Sequence, residues 1–405
     1  MSPDIVTIAR TVRRRAGQVY LDLRQRVRRQ LKRIRERRKA WRARLRLAPV
    51  AVRHATSRAR SGVLRTTRYW ARTSAQAAPR IRVDATVRRA LRASARGRTP
   101  IIAGPWLSEV GFEALYWVPF LRWFTHRYGI DRSRLVVVSR GGVAGWYEGV
   151  ADRYVELFDL YGLDELAVRN AERHRGRDQK QLTVSAFDEE ILARVRALPG
   201  LDAATLCHPS LMFRLLRQFW LGNDSLQYIQ EYTPAARIAP TVRVELPPLP
   251  DCFTAVKFYT GRALPDTPET RRALRRLVER LAAEQPLVTL DTGLTLDEHE
   301  DYLFDGVPGV TNLRGWITPQ NNLGVQTAVI QRASRFAGTC GGLAWLAPLL
   351  GIDTLAVYAS DDLLTPHLYA ARHAYREAGA APFVSLDLAA LSLLPLDGAR
   401  PEANA

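Results

Sequence analysis

Cysteine is nearly missing from this 405-residue chain, which has only Cys207, Cys252 and Cys340. An odd number, widely spaced and without a C-x-x-C pair, offers neither a disulfide framework nor a zinc site, and it fits a reducing compartment. Lysine is almost as scarce: Lys32, Lys39, Lys180 and Lys257 are four of the 60 basic residues. So strong a bias towards arginine reads as a property of the genome and says little about function. Long apolar runs are lacking too. The first thirty residues hold no signal-peptide core, and nothing approaches the roughly 18 apolar residues of a membrane-spanning helix. The expectation is a cytoplasmic chain, neither exported by a standard signal nor integral to a membrane.

What is abundant is positive charge, but it is unevenly placed. The net charge of +20 hides a split, because residues 1–98 carry 30 of the 60 Lys and Arg against Asp4, Asp22, Glu36 and Asp84 alone. That segment is therefore +26 and the remainder −6. A mildly acidic body with a basic extension is a different object from a uniformly basic nucleic-acid binder. Val19, Leu23, Val27, Leu31, Ile34, Trp41 and Leu45 recur at helical intervals among Arg and Lys, which predicts a basic amphipathic helix. Its narrow apolar stripe suits an anionic membrane surface, with nucleic acid as the less favoured partner. A linker follows, then a short helix around residues 83–95.

From Thr99 short β-branched runs alternate with amphipathic helices, and 47% hydrophobic content supports two cores. Strands are expected at 101–104, 134–139, 182–185 and 204–208, with helices at 113–128, 188–197 and 210–221. After the Pro-rich joint Val244 to Asp251, strands are expected at 253–259, 287–291, 310–313, 335–338 and 354–358, with helices at 270–283, 320–333, 342–350 and 363–378. The fold class is α/β, with two Rossmann-like doubly wound domains facing a cleft: residues 99–245 for an acceptor and 251–395 for a donor, preceded by the helical basic extension and linker of residues 1–98. Such sheets bind ligands beyond their carboxyl ends.

Three loops fall at those ends. In GPWLSEVGFEALYWVPFLRWF, Gly104 to Phe124, a strand runs through a glycine-bearing loop into a helix. Glu109 and Glu113 are candidate bases there and Trp106 a candidate acceptor contact; Glu113 would equally complement the helix dipole. In RFAGTCGGLAWLAPLLGIDTLAVYA, Arg335 to Ala359, a strand meets Thr339, Cys340, Gly341, Gly342 and Leu343 at the start of an apolar helix. Free N–H groups in that loop suit a diphosphate, and the same glycines would also relieve tight helix packing. In FTAVKFYTGRALPDT, Phe253 to Thr267, Lys257 and Arg262 are candidate phosphate cations. Arg140, in Ser139-Arg140-Gly141-Gly142, and His208, before Pro209, follow first-domain strands and face the acceptor side; His208 would alternatively cap its helix. The acidic run Asp297 to Asp301 reads as a capping box with Thr295.

Together the glycine loops and their spacing resemble the heptosyltransferase-like branch of GT-B glycosyltransferases over roughly residues 100–380. In that family a Gly-Asp opens the first helix, the Asp is the catalytic base and a Pro follows; here Gly111-Phe112-Glu113 and Pro119 take those places, with one residue inserted and Glu for Asp. The later family motif is matched by Cys340-Gly341-Gly342-Leu343-Ala344-Trp345-Leu346, with Cys340 and Trp345 at the acidic and histidine positions. The resemblance implies a nucleotide-sugar donor held by the second domain through Lys257, Arg262, Thr339, Gly341, Gly342 and Leu343. It also implies transfer to a glycan or lipid-linked acceptor with Glu113 as base. No cofactor is expected, and with no D-x-D pair no metal. A different class stays open, a polyanion-binding protein with a non-catalytic α/β body.

Overall fold

A computed structural model describes residues 77–388, apart from 176–179, 223, 242–243, 295–298 and 362–363. The basic helix expected over residues 19–45 and the capping box expected at Thr295 and Glu298 lie outside the described residues. The first sheet comprises β1 (Ile101–Ala103), β2 (Leu135–Ser139), β3 (Arg153–Glu156) and β4 (Thr205–Cys207), parallel throughout and ordered β3-β2-β1-β4. The second comprises β5 (Thr254–Lys257), β6 (Leu287–Thr289), β7 (Val310–Asn312), β8 (Arg335–Thr339), β9 (Asp353–Tyr358) and β10 (Phe383–Asp387), also parallel, ordered β10-β9-β8-β5-β6-β7. Each sheet grows outward from its first strand and then reverses. The reversals, between β1 and β4 and between β5 and β8, are where open parallel sheets leave a crevice for a ligand.

Burial on both faces explains why the strands are apolar without alternation. Ile101 and Ala103 of β1 enter one apolar cluster and Ile102 another; likewise Ala255 of β5 joins the first cluster and Val256 a third. The helices covering these faces are α1 (Ala77–Ala95), α2 (residues 110–128), α3 (Leu163–Arg175), α4 (Ala186–Arg196), α5 (Pro209–Trp220), α6 (Leu226–Tyr232), α7 (Pro268–Glu284), α8 (Asn322–Arg332), α9 (Gly342–Leu346) and α10 (Thr365–Ala378). Both sheets lie within one compact unit, and the largest apolar cluster draws residues from both. Among the described residues no helix is long and apolar enough to cross a membrane.

The α/β class and the two parallel sheets are as the sequence predicts; several elements differ. Residues 182–185 form no strand, because Ser185 caps α4 in a capping box with Asp188 and the chain turns there. Strands β3 and β10, whose sequences RYVE and FVSLD carry polar residues, lie at sheet edges and escape a reading based on apolar runs. Helix α1 is no part of a loose linker. Its Val87 and Leu91 are fully buried, Arg88 pairs with Glu231 at 2.7 Å, Tyr228 donates to Asp84, and Ser94 donates to the Leu206 carbonyl at 2.6 Å. The folded body therefore starts well before Thr99.

Candidate functional site

The turn from β1 into α2 places the first candidate group. Helix α2 starts at Val110, three residues earlier than expected, and widens into a π turn over Glu113–Trp117, in which the Val118 N–H donates to the Glu113 carbonyl. Pro119 has no N–H for the Leu115 carbonyl, and the helix adjusts its hydrogen bonding just ahead of it. Such π turns recur at functional sites. Here the turn carries Glu113, only 1% exposed, to the carboxyl end of the first sheet. Ser139, the last residue of β2, donates to Glu113 Oε1 at 2.6 Å, and Tyr147 donates to the same oxygen at 2.5 Å. Burial lifts the carboxyl from its ordinary 4.5 to about 7, outweighing the two hydroxyl bonds and the Arg140 charge, which pull it down, while Glu156 adds to the rise. A carboxyl poised near neutrality in a buried polar cluster is what general acid–base chemistry needs.

Glu109, the other candidate base, lies elsewhere. It faces outward, half exposed, and pairs with Lys180 at 2.7 Å; the Lys180 ammonium also sits 3.5 Å from the centre of the Phe112 ring. Arg140 is buried behind Ser139, beside the loop in which Glu156 accepts the Gly141 and Gly142 N–H groups at 3.0 and 2.8 Å. His208 caps α5, its Nδ1 accepting the Ser210 N–H at 3.1 Å, and its Nε2 lies 3.4 Å from the buried Asp188. Trp106 is fully buried between Trp117 and Phe213, with ring centroids 5.7 and 5.6 Å away, so it serves the core and not the acceptor face.

The second sheet's reversal holds the donor candidates. Thr339, at the end of β8, clamps the exit of β5: its hydroxyl accepts the Tyr259 N–H at 2.8 Å and donates to the Tyr259 carbonyl at 3.0 Å. Gly341 and Gly342 then take φ of 148° and 42°, which side chains rarely adopt, and a Cβ at either would lie 2.8 or 2.9 Å from the Tyr259 hydroxyl. The Tyr259 hydroxyl thus lies beside the glycine loop. Leu343 is buried in the core, and Arg262 is exposed. Lys257 lies within the fold. Its ammonium donates to the Leu290 carbonyl at 2.9 Å and to Asp301 at 2.7 Å, and Asp301 also accepts the Thr292 N–H at 2.9 Å. Burial lowers the Lys257 pKa even though Asp301 and Asp291 favour the charge. A lysine so engaged braces the loops after β5 and β6 and does not reach out as a free cation.

Where the two reversal points approach each other, the lobes are in direct contact. A Cβ on Gly111 would come within 2.8 Å of the Gly342 nitrogen and against the Trp345 indole, so only glycine lets α2 and α9 meet. Nearby, the Gly324 N–H donates to the Gly141 carbonyl at 2.9 Å, Trp146 Nε1 donates to Thr327 at 3.0 Å, and Tyr116 shares a 2.9 Å hydrogen bond with His367 Nδ1. Glu113, Ser139 and Tyr147 are thereby brought together in the first lobe, with the Thr339-to-Gly342 loop adjoining them through Gly111. Lys257, Trp106 and His208 stand apart in structural roles. Sequence reasoning missed Tyr147, Lys180 and Tyr259. Lys180 had a signal, being one of only four lysines, whereas Tyr147 and Tyr259 had none beyond following strands. Among the described residues no three His, Cys, Asp or Glu side chains gather as a metal site.

No protein-family model and no curated protein matches the chain. Among solved structures it is similar to a glycosyl transferase family 9 protein from Veillonella parvula at 12% identity, covering 73% of this chain and 87% of that one, with a TM-score of 0.39. It is similar to the E. coli heptosyltransferase WaaC with ADP at 13% identity, 65% and 89% coverage and a TM-score of 0.36. A third similarity is to the iron-containing dodecameric glycosyltransferase TibC of enterotoxigenic E. coli, at 12% identity, 64% and 58% coverage and a TM-score of 0.36. The two parallel sheets, each with its reversal point, establish by themselves that the chain is an α/β protein with paired Rossmann-like sheets.

Proposed function

We propose that this chain is a glycosyltransferase that moves a sugar from a nucleotide-sugar donor to a glycan or lipid-linked acceptor in cell-surface polysaccharide synthesis, without a metal. The observation that supports it most is the meeting of the two reversal points at Gly111 and Gly342, two residues from a carboxyl that burial raises to about 7. In this reading the donor diphosphate lies against the Thr339, Gly341 and Gly342 backbone with Arg262 nearby. Glu113 accepts the proton of the acceptor hydroxyl as that oxygen bonds to the anomeric carbon, and the nucleoside diphosphate leaves with the electrons of the broken C–O bond. Lys257 supports the donor loops through Asp301 and does not touch phosphate. Calorimetry of the full chain against UDP-, ADP-, GDP- and dTDP-sugars tests this: saturable binding of one nucleotide class is expected, and no binding by any of them overturns it.

Residues 1–98 supply the membrane side of the proposal, holding a cytoplasmic enzyme at the inner face of the cell membrane, where lipid-linked acceptors reside. The basic residues of that segment ahead of α1 meet anionic headgroups at about 1 kcal/mol for each residue near the surface. The full chain is expected to co-sediment with phosphatidylglycerol vesicles and not with phosphatidylcholine vesicles at moderate salt. Failure to bind the anionic vesicles together with tight RNA binding would favour the polyanion-binding alternative.

A further inference from the structure

Two hydroxyls from different elements converge on one oxygen of Glu113. Ser139 ends β2, and Tyr147 sits in a short 3-10 turn, Ala144–Tyr147, one residue after Trp146, whose indole reaches Thr327 on α8 of the other lobe. Ser139 and Tyr147 are at most 1% exposed, so both bonds lie away from bulk solvent. Tyr147 is held from both sides: the Trp146 bond fixes the turn to α8, and the Val150 N–H donates to the Tyr147 carbonyl at 2.8 Å. Both donors meet Oε1, which fixes the plane of the carboxyl and directs Oε2 away from them.

We infer that Ser139 and Tyr147 are positioning residues for Glu113, together fixing which carboxylate oxygen receives the acceptor proton and how tightly that proton is held. The inference rests on the glycosyltransfer reading for its meaning, but its test does not. Neither hydroxyl gives up its own proton; burial keeps Tyr147 well above its ordinary phenol range, so it remains a donor throughout. The groups acting on Glu113 are Ser139 and Arg140 from the end of β2, Tyr147 from the turn, and Glu156 and Tyr154 from β3. Arg140 and the two hydroxyls favour the ionised form, and Glu156 opposes it. Removing either hydroxyl therefore raises the proton affinity of Glu113.

Infrared difference titration reads this directly, the protonated Glu113 carbonyl band being the one missing in Glu113→Gln. In Tyr147→Phe, which keeps the ring and its packing, the midpoint is expected to rise by about one pH unit, a tenfold gain in proton affinity. Ser139→Ala provides the same test should Tyr147→Phe not fold, with a rise in the same direction. A purely structural role would lower thermal stability and leave the midpoint in place. An unmoved or lowered midpoint in the folded variants overturns the inference. Glycosyltransfer itself stands or falls on the turnover of Glu113→Gln, so the two failures are told apart.

Discussion

Replacing Glu113 with Gln is expected to lower transfer by about 10²–10⁴-fold while leaving donor affinity near that of the unmodified chain. The amide keeps the size of the side chain, and its oxygen still accepts from Ser139 and Tyr147, so the cluster stays filled; what disappears is the proton acceptor. The pH behaviour separates this from a helix-end charge. With the folded carboxyl at about 7 and its ordinary value at 4.5, the protonated form is favoured by folding. The stability this group contributes is fully present below about pH 4.5 and is lost as pH rises through about 7. Glu113→Gln lacks that loss, so its melting temperature should gain on the parent chain above neutrality, whereas a residue serving only the helix dipole would make the variant less stable there. The rate of the parent chain should rise through about pH 7 and then level, because only the ionised carboxylate accepts a proton. Turnover and thermal melts at pH 5.5 and 8.5 check both signs.

Lys257→Ala is expected to act on the fold before it acts on any ligand. Its ammonium and Asp301 are 12% and 16% exposed, and the pair ties the ends of β5 and β6 together. Removing the cation leaves Asp301 largely buried with the Thr292 N–H among its remaining donors, a change that costs about 3–5 kcal/mol. Chemical denaturation reads that loss. A double variant, Lys257→Ala with Asp301→Ala, should be less destabilised than the two single effects summed, because it removes the stranded charge as well. A folded Lys257→Ala of normal stability with weakened donor binding would return the lysine to the phosphate site.

The sequence made the two-sheet plan legible because parallel strands buried on both faces are apolar from end to end, as LVVVS in β2 is, and because glycines mark the exits of β1 and β8. Glu113 stood out in the sequence from its place after Gly111 at a helix start. Its burial, its π turn and its partners did not, since Tyr147 reaches it from 34 residues away through a fold that no local pattern encodes. Lys257 misled for a physical reason: a cation in an apolar strand needs a partner, and local sequence does not say whether that partner is a ligand or, as here, Asp301, 44 residues on. Trp106 stands in a glycine-rich loop that looks exposed, yet the loop folds back under α5, where Phe213 stacks on it. The contact of Gly111 with Gly342 was hidden for the same reason, because it is a property of two lobes and not of either loop.

Sugar transfer at the junction of the two lobes is tested most directly by turnover of the full chain with the nucleotide sugar that calorimetry selects and a lipid-linked glycan acceptor extract. Release of nucleoside diphosphate is followed together with the mass of the acceptor. Diphosphate release matched by an acceptor heavier by one sugar residue is expected, both lowered by about 10²–10⁴-fold in Glu113→Gln. An intact donor and an unchanged acceptor in the presence of the unmodified chain, or equal transfer by Glu113→Gln, would contradict it.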